Sequence, residues 1–437
     1  MLAGICEVKI TPDFPALMAG FPESKDRFAK GVHDDLYAHC FYLESRGEEY
    51  VFVTMDLLHF RKTRVAVMRA KIEALTGIPA EHCFISCTHT HSGPIASCNP
   101  FVLDDERTML YPDYIESVEN RAARAVRQAK NTAFPAKIGV GKGHCGAEQN
   151  VGGNRRDKNG PCDPAVWVLA IADTDGNPKG AIVRYSLHPT FLGADNMRIT
   201  CDFPHYLYRT VKEKYPDMGV GFQNGTSGDQ SPRHFRSGCT FEEAERVGCA
   251  IGREALRVLD TIEYTDDPVL KSWKAYVSPT MKDIPSYEDA LASAKKAHAD
   301  LDEARAQGKP APFVRTLEYT VIGTEFMLDY AKIGKETVYS QNGEHPFEIF
   351  LFGIDDIRIV GLPTETFVEY GLRVYDFSPF ENTYVVTCAN GHDRSYVCPA
   401  EAHEEGGYEA LCSLLTPKTG EDILAAVKNL LEQSKEI

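Results

Sequence analysis

Apolar positions along this chain fall into two rhythms. Short continuous runs, such as Val51-Phe52-Val53 with Met55 and Phe84-Ile85-Ser86-Cys87, are too brief for helices and read as strands covered on both faces. Between them Val65, Met68, Ile72 and Leu75 recur at helical spacing, and Gly77 ends the stripe. Strand, helix, strand in succession predicts an α/β layer.

The same reading predicts strands over residues 36–43, 50–58, 137–141, 317–322, 347–352 and 356–362. It predicts helices over 114–128, 242–259, 286–306 and 419–432. Residues 166–171 and 181–187, joined by Asp173-Thr174-Asp175-Gly176-Asn177, predict a hairpin. Asp202-Phe203-Pro204-His205 opens a helix through about Lys214, because proline suits a first turn. Ser286-Tyr287-Glu288-Asp289 reads as a capping box, and residues 266–312 as a surface helical excursion or lid on a single domain spanning 1–437.

Candidate chemistry gathers where these elements end. Thr88-His89-Thr90-His91-Ser92-Gly93-Pro94 follows a strand, and alternation in an extended chain puts His89 and His91 on one face. Paired imidazoles suit a metal; hydrogen-bonded loop histidines are the alternative. A second predicted strand ends at His188-Pro189, where the proline holds the histidine extended. Glu365, at a strand-to-helix junction, is either a third ligand or a carboxylate stabilised by the helix dipole. Asp56 is either a loop cap or a partner that orients a metal-binding histidine, the latter being favoured. Asn154-Arg155-Arg156 lies in a glycine-rich loop where arginines can hold a substrate oxygen or carboxylate. Gly228-Asp229-Gln230-Ser231 belongs to a small-residue loop able to supply oxyanion donors, although Ser227 is out of register for G-x-S-x-G.

Composition narrows the classes. Among 437 residues, 43% are hydrophobic and 25% charged, ordinary for a globular chain, while a net charge of -16 argues against nucleic acid and anionic lipid surfaces. No apolar run is long enough for a transmembrane segment. Thirteen cysteines without a CxxC pair fit reduced thiols, and the opening carries no secretion signal, so a cytoplasmic location is expected. Cys87, Cys98 and Cys201 sit near the candidate site, but nothing in the sequence marks one as a nucleophile.

In their order, THTHSGP, Leu187-His188-Pro189, Gly228-Asp229-Gln230-Ser231-Pro232 and Gly361-Leu362-Pro363-Thr364-Glu365 resemble the neutral/alkaline non-lysosomal ceramidase family, across nearly the whole chain. The resemblance implies mixed β-sheets covered by helices in a ceramidase-like catalytic domain, without the C-terminal β-sandwich of full-length ceramidases. It also implies a zinc-dependent amidase that cleaves an N-acyl bond, a link to sphingolipid metabolism, and one Zn²⁺ per chain. Carried over, the metal ligands are His89, His188, Glu365 and Tyr396, with Tyr408 a substitute for Tyr396 or a substrate contact. His91, Ser231 and Arg155 carry the catalytic roles, and Asn154, Gly228 and Asp229 bind substrate. The expected partner is a small-molecule or lipid-like amide, with a small soluble N-acyl compound favoured over ceramide and a homo-oligomer left open. The alternatives are another metal-dependent hydrolase, such as a cyclic amidohydrolase or phosphoesterase, a serine hydrolase, or a binding protein without turnover.

Overall fold

The computed structural model describes residues 1–21, 26–96, 110–342, 346–391 and 396–436. Alternation along the strands builds three cores at once. In the strand Tyr37–Ser45, Cys40 and Tyr42 face one core while Phe41 and Leu43 face another. In Ala165–Asp173, Val166, Val168 and Ala170 join the first core, and Trp167, Leu169 and Ile171 the second. Burial on both faces explains the unbroken apolar runs.

These strands belong to an eight-stranded sheet ordered Gly219–Asn224, Pro178–Tyr185, Ala165–Asp173, Phe134–His144, Leu2–Lys9, Tyr37–Ser45, Glu48–Met55, Cys83–Cys87. The pairs at its two edges are parallel and the inner ones antiparallel, so the sheet is mixed. Leu270–Val277, Phe347–Ile354, Ile357–Gly361 and Thr383–Val386 form a second, four-stranded sheet. It stacks on the first through contacts such as Phe84 on Phe350, with ring centroids 5.4 Å apart, and Trp167 on Tyr384, also 5.4 Å apart. Helices Lys62–Thr76, Pro112–Asn131, Phe203–Lys214 and Phe241–Leu259 cover the outer face of the larger sheet. Val368–Phe377 and Pro417–Gln433 cover that of the smaller. The fold is α/β, with mixed sheets between helical layers, as the sequence predicts.

Local signals act as expected at several ends. Gly77 takes a left-handed conformation, φ 76°, and donates to Glu73 O. Asp202 accepts from Phe203 N at one helix start, and Ser286 Oγ accepts from Asp289 N at another, 3.1 Å away. Two expectations fail. Residues 317–322 are helical, inside Ala311–Ile333, because Val314, Leu317 and Val321 repeat at helical spacing and pack on Ala297 and Leu301 of Tyr287–Ala306. The excursion expected over 266–312 includes the strand Leu270–Val277, whose residues pair with Phe347–Ile354, so the helical hairpin begins later and runs further.

Asp56 also differs from expectation. Its carboxylate accepts from Tyr37 N at 2.9 Å, Tyr208 OH at 3.0 Å and Cys201 Sγ at 3.0 Å, and faces His39 Nε2 at 3.4 Å. It therefore orients none of the candidate metal histidines. It organises a buried network in which His39 Nδ1 also meets Glu7 Oε1, 2.8 Å away. Burial alone would lower the His39 pKa, but Asp56 and Glu7 override it and push it up to about 9. Stability from protonated His39 is then complete below its unfolded pKa of about 6.5 and lost as pH rises through about 9. His39→Gln should cost on the order of 3 kcal/mol at pH 6, a deficit that shrinks above pH 9, measured by urea unfolding at both pH values.

Candidate metal centre

Four loops converge at one end of the sheets. The strand Cys83–Cys87 stops before the histidines; Thr88 N donates to Met55 O and His89 N to Leu57 O, both at 2.9 Å. His89 then adopts φ 67°, a left-handed conformation unusual for a side chain with a Cβ. The shared strand face expected for His89 and His91 is thus not what aims them. A turn at His89 does, and the buried Arg27 fastens the next segment through Nη1 to His91 O at 2.7 Å. His188 is fixed by its N donating to Gln230 O, 3.1 Å away. Glu365 opens a two-residue parallel ladder in which its register partner is Tyr396.

The second nitrogen of each imidazole decides the chemistry. His89 Nδ1 faces Leu58 O at 2.8 Å, and His188 Nδ1 faces Ser227 O at 2.6 Å and Gln230 O at 3.1 Å. A carbonyl accepts only, so both Nδ1 atoms carry protons and, in the neutral rings, both Nε2 atoms present lone pairs. Each Nε2 lies 3.2 Å from the same Glu365 Oε2. Two ligand atoms bound tetrahedrally to zinc at about 2.0–2.2 Å are about 3.3 Å apart. The donor set therefore fits one shared cation. The ligand atoms of His89, His91 and His188 lie within 4.8 Å of one another, the group among the described residues able to hold a metal ion.

Charges follow this geometry. Burial and then Arg155 lower the His188 pKa to about 4. Burial and then His89 and His188 hold His91 well below its ordinary value. Both His91 ring nitrogens lack hydrogen-bond partners among the described residues, and the ring lines a cavity of about 930 Å³. Gly20 makes room for it. Its φ is +102°, and a Cβ there would lie 2.5 Å from His91 Cγ and Nδ1. Gly20→Ala should displace the His91 ring and destabilise the fold by about 1–3 kcal/mol, read from the urea midpoint and a crystal structure of the variant.

Ser231, Arg155, Tyr396 and Tyr408 line the same cavity as His91. Arg155 Nε is held by Glu409 Oε1 at 2.5 Å, while its Nη2 has no hydrogen-bond partner among the described residues. The Tyr396 ring lies 5.6 Å from the Arg155 guanidinium and 5.9 Å from Tyr408. Burial and then the Glu365 charge raise the Tyr396 phenol well above its usual range. Asn154, Gly228 and Asp229, expected to touch substrate, are outside that lining. Asn154 Nδ2 donates to Asp229 Oδ2 at 2.7 Å, Val368 N donates to Asp229 Oδ1 at 2.9 Å, and Gly228 N donates to Thr366 O at 2.9 Å. These hydrogen bonds join the Arg155 loop, the Ser231 loop and the Glu365 segment. Among the described residues no histidine hydrogen-bonds Ser231 Oγ, which accepts from Arg233 N at 3.2 Å. Cys98 and His392-Asp393-Arg394-Ser395 lie outside the described residues. Sequence reading missed Gly20, Arg27 and Glu409, whose roles depend on contacts between distant segments.

Residues 2–253 match the family described as Neutral/alkaline non-lysosomal ceramidase, N-terminal. The chain belongs to that family. Among relatives, it is 25% identical over 239 residues to Neutral ceramidase of Pseudomonas aeruginosa, covering 49% of this chain and 34% of the relative. It is 22% identical over 225 residues to Neutral ceramidase A of Dictyostelium discoideum, covering 46% and 32%. These ceramidases are therefore matched over about a third of their own length. As a fold, this member of the ceramidase family superposes on a solved structure titled Ceramidase complexed with C2, with TM-score 0.76, 18% identity, and coverage of 100% of this chain and 75% of that one. The solved neutral ceramidase from Pseudomonas aeruginosa gives TM-score 0.74 at 19% identity, covering 99% and 74%. Among the described residues no helix is long and apolar enough to cross a membrane.

Proposed function

We propose that this chain is a zinc-dependent amidase that hydrolyses an N-acyl bond, with the metal held by His89, His188 and Glu365 and with Tyr396 as fourth ligand. The observation that carries the reading is the single Glu365 oxygen 3.2 Å from two imidazole Nε2 atoms whose rings are fixed by carbonyls behind them. Family membership supports the choice of reaction. Zinc supplies a Lewis acid for the amide carbonyl and a water acidified from a pKa of about 15.7 towards about 7.

The chain's own groups do the rest. His91 lines the cavity, both its ring nitrogens are buried without a hydrogen-bond partner among the described residues, and it exchanges a proton with the attacking water and the leaving amine. Ser231 Oγ donates to the developing oxyanion, and Arg155 Nη2 holds a polar group of the substrate. The charged cavity wall favours a small soluble N-acyl compound over ceramide. A single group able to hold a metal among the described residues supports one ion over a two-metal phosphoesterase site. The absence of a histidine on Ser231 Oγ among those residues weighs against a serine nucleophile.

The test combines elemental analysis of protein purified without added metal with hydrolysis of a panel of N-acyl amines, N-acyl amino acids and ceramide. The reading expects near-stoichiometric zinc and turnover of at least one amide. Zinc-loaded protein inert across the panel, or hydrolysis that survives complete chelation, would count against it.

A further inference from the structure

The cavity beside the metal centre has the opposite sign to the chain. The net charge is -16, yet Arg155, Arg233, Arg236, Arg305, Lys309 and Arg315 line it, against Asp195 and Glu318 among the described residues. Much of this charge is already answered. Glu318 takes Arg305 at 2.8 Å and Arg315 at 2.9 Å, and Glu409 takes Arg155 and Arg156. Arg233 and Arg236 are different. Neither has a carboxylate within ion-pair distance among the described residues.

Arg233 sits two residues beyond Ser231. Its Nη1 makes two long hydrogen bonds, 3.4 Å to Arg155 O and 3.3 Å to Thr316 Oγ1, and its guanidinium lies 5.0 Å from the centre of the Tyr319 ring. Arg236 Nη1 donates to Thr190 O and to Phe191 O. Burial and then the nearby Arg155 charge, offset only in part by the Glu409 charge, bring the Arg233 pKa down to about 10, so it remains a cation at neutral pH. A half-buried cation beside like charge is costly unless an anion answers it, and the planar arginine fork matches a carboxylate or phosphate.

We propose that Arg233, with Arg236, forms an anion-binding subsite of this cavity, and that the substrate carries an oxyanion group, carboxylate or phosphate, in addition to its amide. The inference rests on the amidase reading for where the amide goes, but the subsite itself does not require turnover. A neutral two-chain lipid offers it nothing to bind. An N-acyl amino acid or a phosphorylated N-acyl amine does.

Binding probes that cannot be hydrolysed separate this inference from the reaction. Decyloxyacetate, 2-(decyloxy)ethyl phosphate and neutral 2-(decyloxy)ethanol, in which an ether stands where the amide would be, are titrated calorimetrically into the zinc-loaded wild type, Arg233→Gln and Arg233→Lys. The wild type should bind one or both anions about 10- to 100-fold more tightly than the alcohol. Arg233→Gln should cut that preference by at least about 10-fold, and Arg233→Lys should retain part of it. Whichever anion is preferred identifies the substrate group. Equal binding of all three by the wild type overturns the proposal. So does an anion preference that persists in Arg233→Gln, the result expected if the metal alone captures the anion. Anion preference without hydrolysis of any matching amide leaves the subsite standing and removes the amidase reading.

Discussion

Glu365→Gln is expected to lose metal affinity by more than about 100-fold, beyond the loss that follows removal of a residue merely supporting a ligand. The substitution keeps the shape and removes the charge that faces His89 Nε2 and His188 Nε2 at 3.2 Å. Two neutral imidazoles without an anionic third donor make a weaker site, and amide hydrolysis should fall with occupancy. Dialysis against a competing chelator, followed by metal analysis, gives the affinity. The fold should remain intact, because Glu365 serves no core.

Asp163→Ala is expected to destabilise the protein by about 3–5 kcal/mol. Arg184 is fully buried in the larger sheet, with Nη1 2.5 Å from Asp163 Oδ2 and Nε donating to Val385 O of the smaller sheet at 2.8 Å. Tyr375 OH adds a bond to the same carboxylate at 3.0 Å. Removing Asp163 strands a guanidinium between the two sheets, the costly way to break a buried pair. Replacing both charges, with Arg184→Met in the Asp163→Ala background, should recover part of the loss. Chemical unfolding of the three proteins decides this, and equal stability of Asp163→Ala and wild type would show that the pair does not bind the sheets together.

Layering was legible in the chain because the central strands bury both faces, and Val51-Phe52-Val53 could hardly do anything else. The helix stop at Gly77 and the helix start at Ser286 were legible because caps are local chemistry. Residues 317–322 were not, since Leu317, Tyr319 and Val321 alternate with Glu318 and Thr320 as in a strand, and the partner stripe on Tyr287–Ala306 decides for the helix. At the site, His89, His91, His188 and Glu365 could be picked out as residues at element ends. What aims them could not: the left-handed turn at His89, the gap left by Gly20 and the Arg27 clamp come from segments far apart in sequence. Asp56 shows the converse. A carboxylate at a strand end near the histidines was a reasonable partner for them, yet Tyr37, Tyr208 and Cys201 had already claimed it.

Anomalous X-ray diffraction recorded on both sides of the zinc absorption edge, from crystals of protein purified without added metal, addresses the centre most directly. The account predicts one peak about 2.0–2.2 Å from His89 Nε2, His188 Nε2 and a Glu365 oxygen. A map without that peak, with the Glu365 oxygen instead hydrogen-bonded to a doubly protonated imidazole, would contradict it.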